Sequence, residues 1–116
     1  MTATDAELAS SPAYRFLPQS ARDRLASLLG ETPLALVLSG HVHQYRLLRL
    51  DGTNHLWVPT TWAVLPDQVQ PILGAKRCGI VSFDLASDRA PEPVLVEPDG
   101  IVRLTIATDI ANPYQR

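Results

Sequence analysis

Two histidines separated by one residue, His41 and His43, are the residues of this sequence best suited to chemistry. A neutral imidazole binds zinc, iron or manganese through one ring nitrogen while a neighbouring acceptor holds the other nitrogen. Gly40 precedes the pair and permits a sharp turn and a close backbone approach to a ligand, which we expect a Cβ atom to obstruct. Such pairs also occur as solvated residues on exposed strands, so the spacing alone leaves metal binding and a solvated pair both open.

The segment before the histidines strengthens the metal prediction. Residues 34–38 are apolar at every position, which predicts a short strand covered on both faces, as in the middle of an α/β sheet. The polar cluster at residues 39–43 would then lie at the carboxyl end of that strand, where open α/β sheets place their ligand sites. Ser39 itself has no base and acid arranged to activate it, so we predict no catalytic nucleophile in this chain.

The elements around this cluster follow from local signals. Pro18 before residues 19–29 and Gly30 after them predict a helix, whose apolar face would carry Ala21, Leu25, Leu28 and Leu29. Beyond the histidines, residues 44–50 and 55–58 predict a hairpin around a turn at 51–54, and a loop follows at 59–74. Further short strands are expected at residues 79–85, 94–96 and 103–108. The predicted fold class is α/β, with one helix and a buried strand followed by an antiparallel β meander. Residues 1–16 are expected to form a flexible lead-in and residues 111–116 a frayed tail around a folded part at 17–110.

Residues 36–46, Leu-Val-Leu-Ser-Gly-His-Val-His-Gln-Tyr-Arg, resemble the last motif block of the calcineurin-like metallophosphoesterases, in which Gly-His-x-His follows a buried strand. The likeness continues through residues 55–62 and 79–82 and covers most of the chain from about residue 17 to 108, although only the histidine motif is specific. It implies the C-terminal part of a metallophosphoesterase-type α/β sandwich that hydrolyses phosphate esters. It also implies a centre of two divalent transition-metal ions (manganese, iron or zinc), with His41 binding one ion and His43 the other.

The family's centre also needs carboxylates, since an aspartate must bridge the two cations and offset their charge. Its other blocks are Asp-x-His, Gly-Asp, Gly-Asn-His followed by an acid, and a further histidine, and none of them precedes Gly40 here. Residues 52–55, Gly-Thr-Asn-His, differ from Gly-Asn-His by the inserted Thr53 and lack the acid, so they predict a hairpin tip with a solvated or hydrogen-bonded His55. We therefore expect an incomplete centre and a chain that is inactive alone.

Other side chains have weaker functional interpretations. The resemblance places Thr60 and Thr61 at the border of the active-site mouth, where their hydroxyls would bind substrate phosphate, although turn and packing roles remain open. Asp67, Lys76 and Arg77 are expected to be solvated loop charges, with Arg77 a remote candidate for phosphate contact. Tyr45 and Trp57 are expected to form a cross-strand packing pair. Cys78 is expected to be a small buried apolar residue.

Composition limits the classes of partner. Hydrophobic residues make up 46% and charged residues 19% of the 116 residues, and the net charge is −2. This balance predicts a folded domain that binds neither nucleic acid nor an anionic membrane surface. The absence of a bilayer-length apolar run and of a signal-peptide pattern predicts a cytoplasmic protein.

Three functional hypotheses remain open at the level of sequence. The first is a phosphoesterase fragment that takes a phosphate-ester small molecule once its site is completed by the missing N-terminal part or by self-association. The second is a non-catalytic metal-binding or structural module. The third is a subunit whose acidic ligands are supplied by a partner chain.

Overall fold

The computed structural model describes residues 17–111 of the chain. Helix α1 spans Gln19–Leu29, as the sequence predicts. Pro18 is the N-cap residue rather than a member of the first helical turn, and Gly30 ends the helix with a φ of 57°. The predicted lead-in at residues 1–16 and all but the first residue of the predicted tail lie outside the described residues.

The described strands form three small sheets. They are β1 (Leu36–Ser39), β2 (Arg46–Leu50), β3 (Thr53–Trp57), β4 (Ala63–Val64), β5 (Ile80–Ser82), β6 (Val94–Val96) and β7 (Leu104–Thr105). The first sheet has the order β1-β3-β2, while β4 pairs with β7 and β5 pairs with β6. The combination of a helix with several small sheets is a mixed α and β fold. The antiparallel pairing predicted after β1 is found for β2–β3 and β5–β6 and is wrong for β4–β7, which runs parallel; β1 itself pairs with β3 in parallel.

The β2–β3 hairpin is tighter than predicted. Its turn consists of Asp51 and Gly52, with φ values of 48° and 80°, and positive φ at both positions is typical of a type I′ turn. The register places Arg46 opposite Trp57, so the expected pairing of Tyr45 with Trp57 is wrong. The Arg46 guanidinium carbon lies 5.2 Å from the Trp57 ring centroid, a cation–π contact on a fully buried indole.

Strand β1 departs from the prediction that both of its faces are covered. It lies at the edge of its sheet, and β3 is its neighbour within residues 17–111. Leu38 remains 48% exposed. Helix α1 has no buried residue, and its Leu28 is 77% exposed. The predicted apolar strand is therefore present, but the described residues cover it only in part.

The described core is small and lies beside the histidine motif. Its buried apolar residues are Val42, Leu56, Trp57, Ala63, Val64, Cys78 and Ile106. The burial of Cys78 confirms the expected apolar role of this thiol. Across residues 17–111, no helix has the length and apolar character needed to cross a bilayer.

Candidate metal centre

The two histidines lie in a turn at residues 40–44 that leads from the carboxyl end of β1 toward β2. We call this segment the histidine turn. Val42 and Gln44 are buried, with 4% and 1% of their surface exposed, whereas His41 is exposed and His43 is half-buried. The turn is therefore anchored in the core by the residues that alternate with the histidines, and both imidazoles stay accessible.

Both histidines adopt backbone conformations that non-glycine residues rarely take. The φ value is 85° at His41 and 54° at His43. Each such conformation costs on the order of 1–3 kcal/mol and persists only where the surrounding structure determines it. Strain of this kind is concentrated at ligand sites, which makes the histidine turn a candidate on geometric grounds.

Gly40 does not need the conformational freedom of glycine for the protein's own packing. Its φ is outside the positive region that the described glycines Gly30, Gly52 and Gly100 occupy. A Cβ atom at Gly40 would meet only a Val58 methyl carbon at 3.8 Å, which is an ordinary van der Waals contact. The positive φ values in this segment belong to the histidines themselves. That a side chain at Gly40 would obstruct a bound ligand stays a prediction.

The His43 ring has a fixed partner on β4. Its Nδ1 atom lies 2.6 Å from the backbone oxygen of Ala63. A carbonyl oxygen only accepts hydrogen bonds, so Nδ1 must carry the proton and the Nε2 lone pair is left to bind a ligand. Metal-binding histidines in proteins are typically held in this way through the nitrogen that does not touch the metal.

Backbone hydrogen bonds fix both ends of the histidine turn. The Ser39 oxygen accepts from the Val58 N–H at 2.8 Å, and Tyr45 exchanges two bonds of 2.8 Å with Ala75. The turn is therefore held between the residue that follows β3 on one side and the loop before β5 on the other. Two further anchors, the buried Gln44 and Gln70, were not predicted from the sequence. A polar amide directly after the histidine motif is a local signal for Gln44, and Gln70 has no such signal.

The carboxylates that a two-metal centre needs do not accompany the histidines. Within residues 17–111, no group of three or more His, Cys, Asp or Glu side chains could hold a metal ion. His41 and His43 can therefore supply only part of a coordination sphere. These two residues fit as ligands, while the described residues as a set do not complete the site.

The string at residues 52–55 is structural, as predicted. Gly52 belongs to the hairpin turn, and the next three residues lie in β3. Asn54 is buried and donates its side-chain N–H to the Pro91 oxygen at 3.2 Å. His55 is half-buried, and this burial lowers the pKa of its imidazole.

The two threonines named as substrate contacts lie after β3. The side-chain oxygen of Thr60 accepts a hydrogen bond from the Trp62 N–H at 3.1 Å. The backbone oxygen of Thr60 accepts one from the Gly79 N–H at 2.9 Å. A hydroxyl that accepts one bond still has a proton to donate. Thr61 is exposed. Phosphate binding by these residues stays a prediction.

The three loop charges are more ordered than expected. Lys76 is not solvated, since its side chain is 10% exposed and its ammonium group donates to the Leu65 oxygen at 2.7 Å and to Asp67 at 2.6 Å. Arg77 pairs with Glu97 at the surface, which raises the pKa of Arg77 and lowers the pKa of Glu97. A guanidinium held by a carboxylate is a poor candidate for binding phosphate.

The structure thus brings His41 and His43 together in one strained turn and places Thr60 and Thr61 in a separate segment that pairs with Cys78. No protein-family model, no curated protein and no solved structure matches this chain.

Proposed function

We propose that this chain is the C-terminal portion of a metal-dependent phosphoesterase, in which His41 and His43 each bind one ion of a dinuclear centre. The observation that carries the proposal is the 2.6 Å contact between His43 Nδ1 and the Ala63 oxygen. It leaves Nε2 as the only ring nitrogen able to bind a cation. The Gly-His-x-His resemblance supports the choice of phosphate esters as the substrate class.

The residues of this chain would have distinct roles in such a centre. Two bound divalent ions would supply Lewis acidity and charge neutralisation to the phosphate ester. His43 would offer an imidazole whose orientation is fixed before binding, while the exposed His41 would be ordered mainly by its backbone. Thr60 and Thr61 would donate hydroxyl hydrogen bonds to the phosphate. The bridging carboxylates would come from the missing N-terminal portion.

The uncovered apolar surface supports the proposal that a portion is missing. Leu28 of α1 is 77% exposed and Leu38 at the sheet edge is 48% exposed. Large exposed apolar surface on a soluble protein marks interaction sites or aggregation liabilities. We expect the chain expressed alone to be poorly soluble or to associate with itself. A monodisperse monomer that melts cooperatively would contradict this part of the proposal.

The main alternative is a non-catalytic module in which the histidines bind one ion or none. The incomplete ligand set within residues 17–111 favours it. This alternative predicts single-ion occupancy at most and no hydrolysis with any metal. A subunit completed by a partner chain predicts instead that hydrolysis appears when the two chains are mixed.

The decisive experiment uses the genomic sequence upstream of the Met1 codon. The proposal expects Asp-x-His, Gly-Asp and Gly-Asn-His blocks there, and it expects the joined product to hydrolyse bis(4-nitrophenyl) phosphate with Mn²⁺. His41→Ala and His43→Ala should each abolish this activity. His55→Gln is the matched control, because it removes the third histidine without touching the histidine turn. An upstream region without acidic blocks, or full activity in the double histidine variant, would refute the proposal.

A further inference from the structure

Two buried glutamines form a connected side-chain network: Gln44, the last residue of the histidine turn, and Gln70, in the loop after β4. They are 1% and 5% exposed, and 26 residues separate them in the chain. Buried amides are costly unless their donors and acceptors are satisfied. Neither glutamine binds metal or substrate in the proposed function.

Gln44 uses both ends of its amide. Its Nε2 donates to Gln70 Oε1 at 2.7 Å and to the Pro71 oxygen at 2.9 Å. Its Oε1 accepts from the backbone N–H groups of Leu73 and Gly74 at 2.9 and 2.7 Å. This one side chain therefore replaces the backbone partners of three loop residues, and it fixes the loop after β4 against the histidine turn.

Gln70 connects this network to the backbone between the histidines. Its Nε2 donates to the Val42 oxygen at 2.8 Å. The carbonyl of Val42 and the N–H of His43 belong to one peptide plane, and the φ of His43 is the rotation about the N–Cα bond that leaves this plane. Because Gln70 holds the Val42 oxygen, it restrains the peptide plane relative to which the φ of His43 is 54°.

His43 is thus constrained from two directions. Gln70 holds the peptide on its N-terminal side, and the Ala63 oxygen holds its ring at Nδ1. A strained residue persists only where its surroundings determine its conformation, and both contacts restrain His43.

We infer that Gln70, supported by Gln44, is a positioning residue that fixes His43 in the Nδ1–H tautomer and directs its Nε2 toward the ligand. The effect on the tautomer follows from the geometry of the chain alone. The effect on metal affinity rests on the proposed function. The two effects can therefore be measured separately.

Gln70→Glu is the sharpest test, because the carboxylate can still accept from Gln44 but cannot donate to the Val42 oxygen. Gln70→Met removes donor and acceptor at similar volume without adding a charge. Gln68→Glu is the matched control, since Gln68 is an exposed glutamine of the same loop and undergoes the same charge change. The full chain, labelled with ¹⁵N and studied in solution or as a hydrated sediment, is examined by NMR for the tautomer of His43. Zn²⁺ affinity is measured on the same samples.

We expect the wild-type chain and Gln68→Glu to hold His43 as Nδ1–H, and both Gln70 variants to shift it toward the Nε2–H form. Zn²⁺ affinity should fall roughly 10–100-fold in the Gln70 variants, the usual loss when a partner of a metal-binding histidine is removed. A wild-type His43 in the Nε2–H form overturns the inference without requiring any variant to fold. An unchanged tautomer in a folded Gln70 variant also overturns it. If the tautomer shifts while wild type and variants bind Zn²⁺ equally weakly, the positioning role stands and the proposed function fails.

Discussion

His43 has two roles in the histidine turn: its ring bonds the Ala63 oxygen through Nδ1, and it offers Nε2 to a metal ion. Replacing His43 by asparagine separates these two roles. The side-chain N–H of asparagine starts near the position of Nδ1, so it can donate to the Ala63 oxygen that His43 contacts at 2.6 Å. Asparagine also tolerates positive φ better than most residues, and the φ here is 54°. It has no counterpart of Nε2. His43→Asn should therefore keep the turn and lose the metal ligand, whereas His43→Ala should lose both.

The structure sets the expected difference in the free energy of unfolding. Ala63 is fully buried, so its oxygen would be left without this partner in His43→Ala, at a cost of about 1–3 kcal/mol. His43 already bears the cost of its positive φ, so alanine at this position adds no full second penalty. We expect His43→Ala to be destabilised by about 1–3 kcal/mol and His43→Asn by less than about 1 kcal/mol. A difference of about 1.4 kcal/mol corresponds to roughly a 10-fold change in the unfolding equilibrium.

Urea unfolding in the presence of a chelator measures the stabilities, and calorimetric titration with Zn²⁺ measures the affinities. Both variants lack Nε2 and should bind Zn²⁺ at least roughly 10-fold more weakly than the wild type. Removing a metal ligand should lower the affinity more than removing a residue that only supports a ligand. Equal stability of the two variants would show that the ring contact does not hold the turn. Wild-type Zn²⁺ affinity in His43→Asn would show that Nε2 binds no metal and would refute the reasoning from geometry to ligand.

Three further predictions concern the frame of the site. Gly74→Ala should destabilise the chain by about 1–3 kcal/mol, because the new Cβ atom would lie 2.6 Å from the Tyr45 oxygen. Gly40→Ala is the control, since there is room for a Cβ atom at Gly40. Equal urea midpoints for the two variants would contradict the prediction. Leu28→Lys should reduce self-association in light scattering while changing the free energy of unfolding by less than about 0.5 kcal/mol, and unchanged association would show that α1 is not the contact surface. Burial lowers the pKa of His55 from 6.5, so the unfolded chain binds more protons and stability should fall as the pH drops below about 6.5. His55→Gln should flatten this pH dependence, and an unchanged slope would assign it to other groups.

Local signals in the sequence were sufficient for the elements that depend on neighbouring residues. Helix α1 has the predicted bounds because Pro18 and Gly30 act on the backbone beside them. The hairpin follows from Asp51 and Gly52, which accept positive φ at little cost. The position of the histidines after a strand is equally local, and it is confirmed.

Pairings between distant residues could not be predicted in the same way. The parallel pairing of β4 with β7 joins Ala63 to Leu104, and two-residue strands give no periodic pattern to detect. The edge position of β1 was missed because an apolar run shows that a strand needs cover, not whether the chain itself supplies it. The same holds within the site, since the partners of the histidine turn, Ala63 and Gln70, follow it by 20 to 28 residues.

The contrast between the histidine turn and its surroundings bears on the choice among the hypotheses. The turn is specified by strained φ values, a ring contact and a satisfied network of buried amides. A solvated histidine pair would need none of these constraints, because mobile imidazoles in water have no geometry to maintain. Yet the strand that leads into the turn remains partly uncovered, with Leu38 48% exposed. A rigid ligand pair beside an uncovered sheet edge is what half of a divided site would look like, because the missing half would complete the coordination sphere and cover the strand together. The partial exposure of β1 within residues 17–111 is therefore the observation that supports the proposed fragment over a stand-alone module.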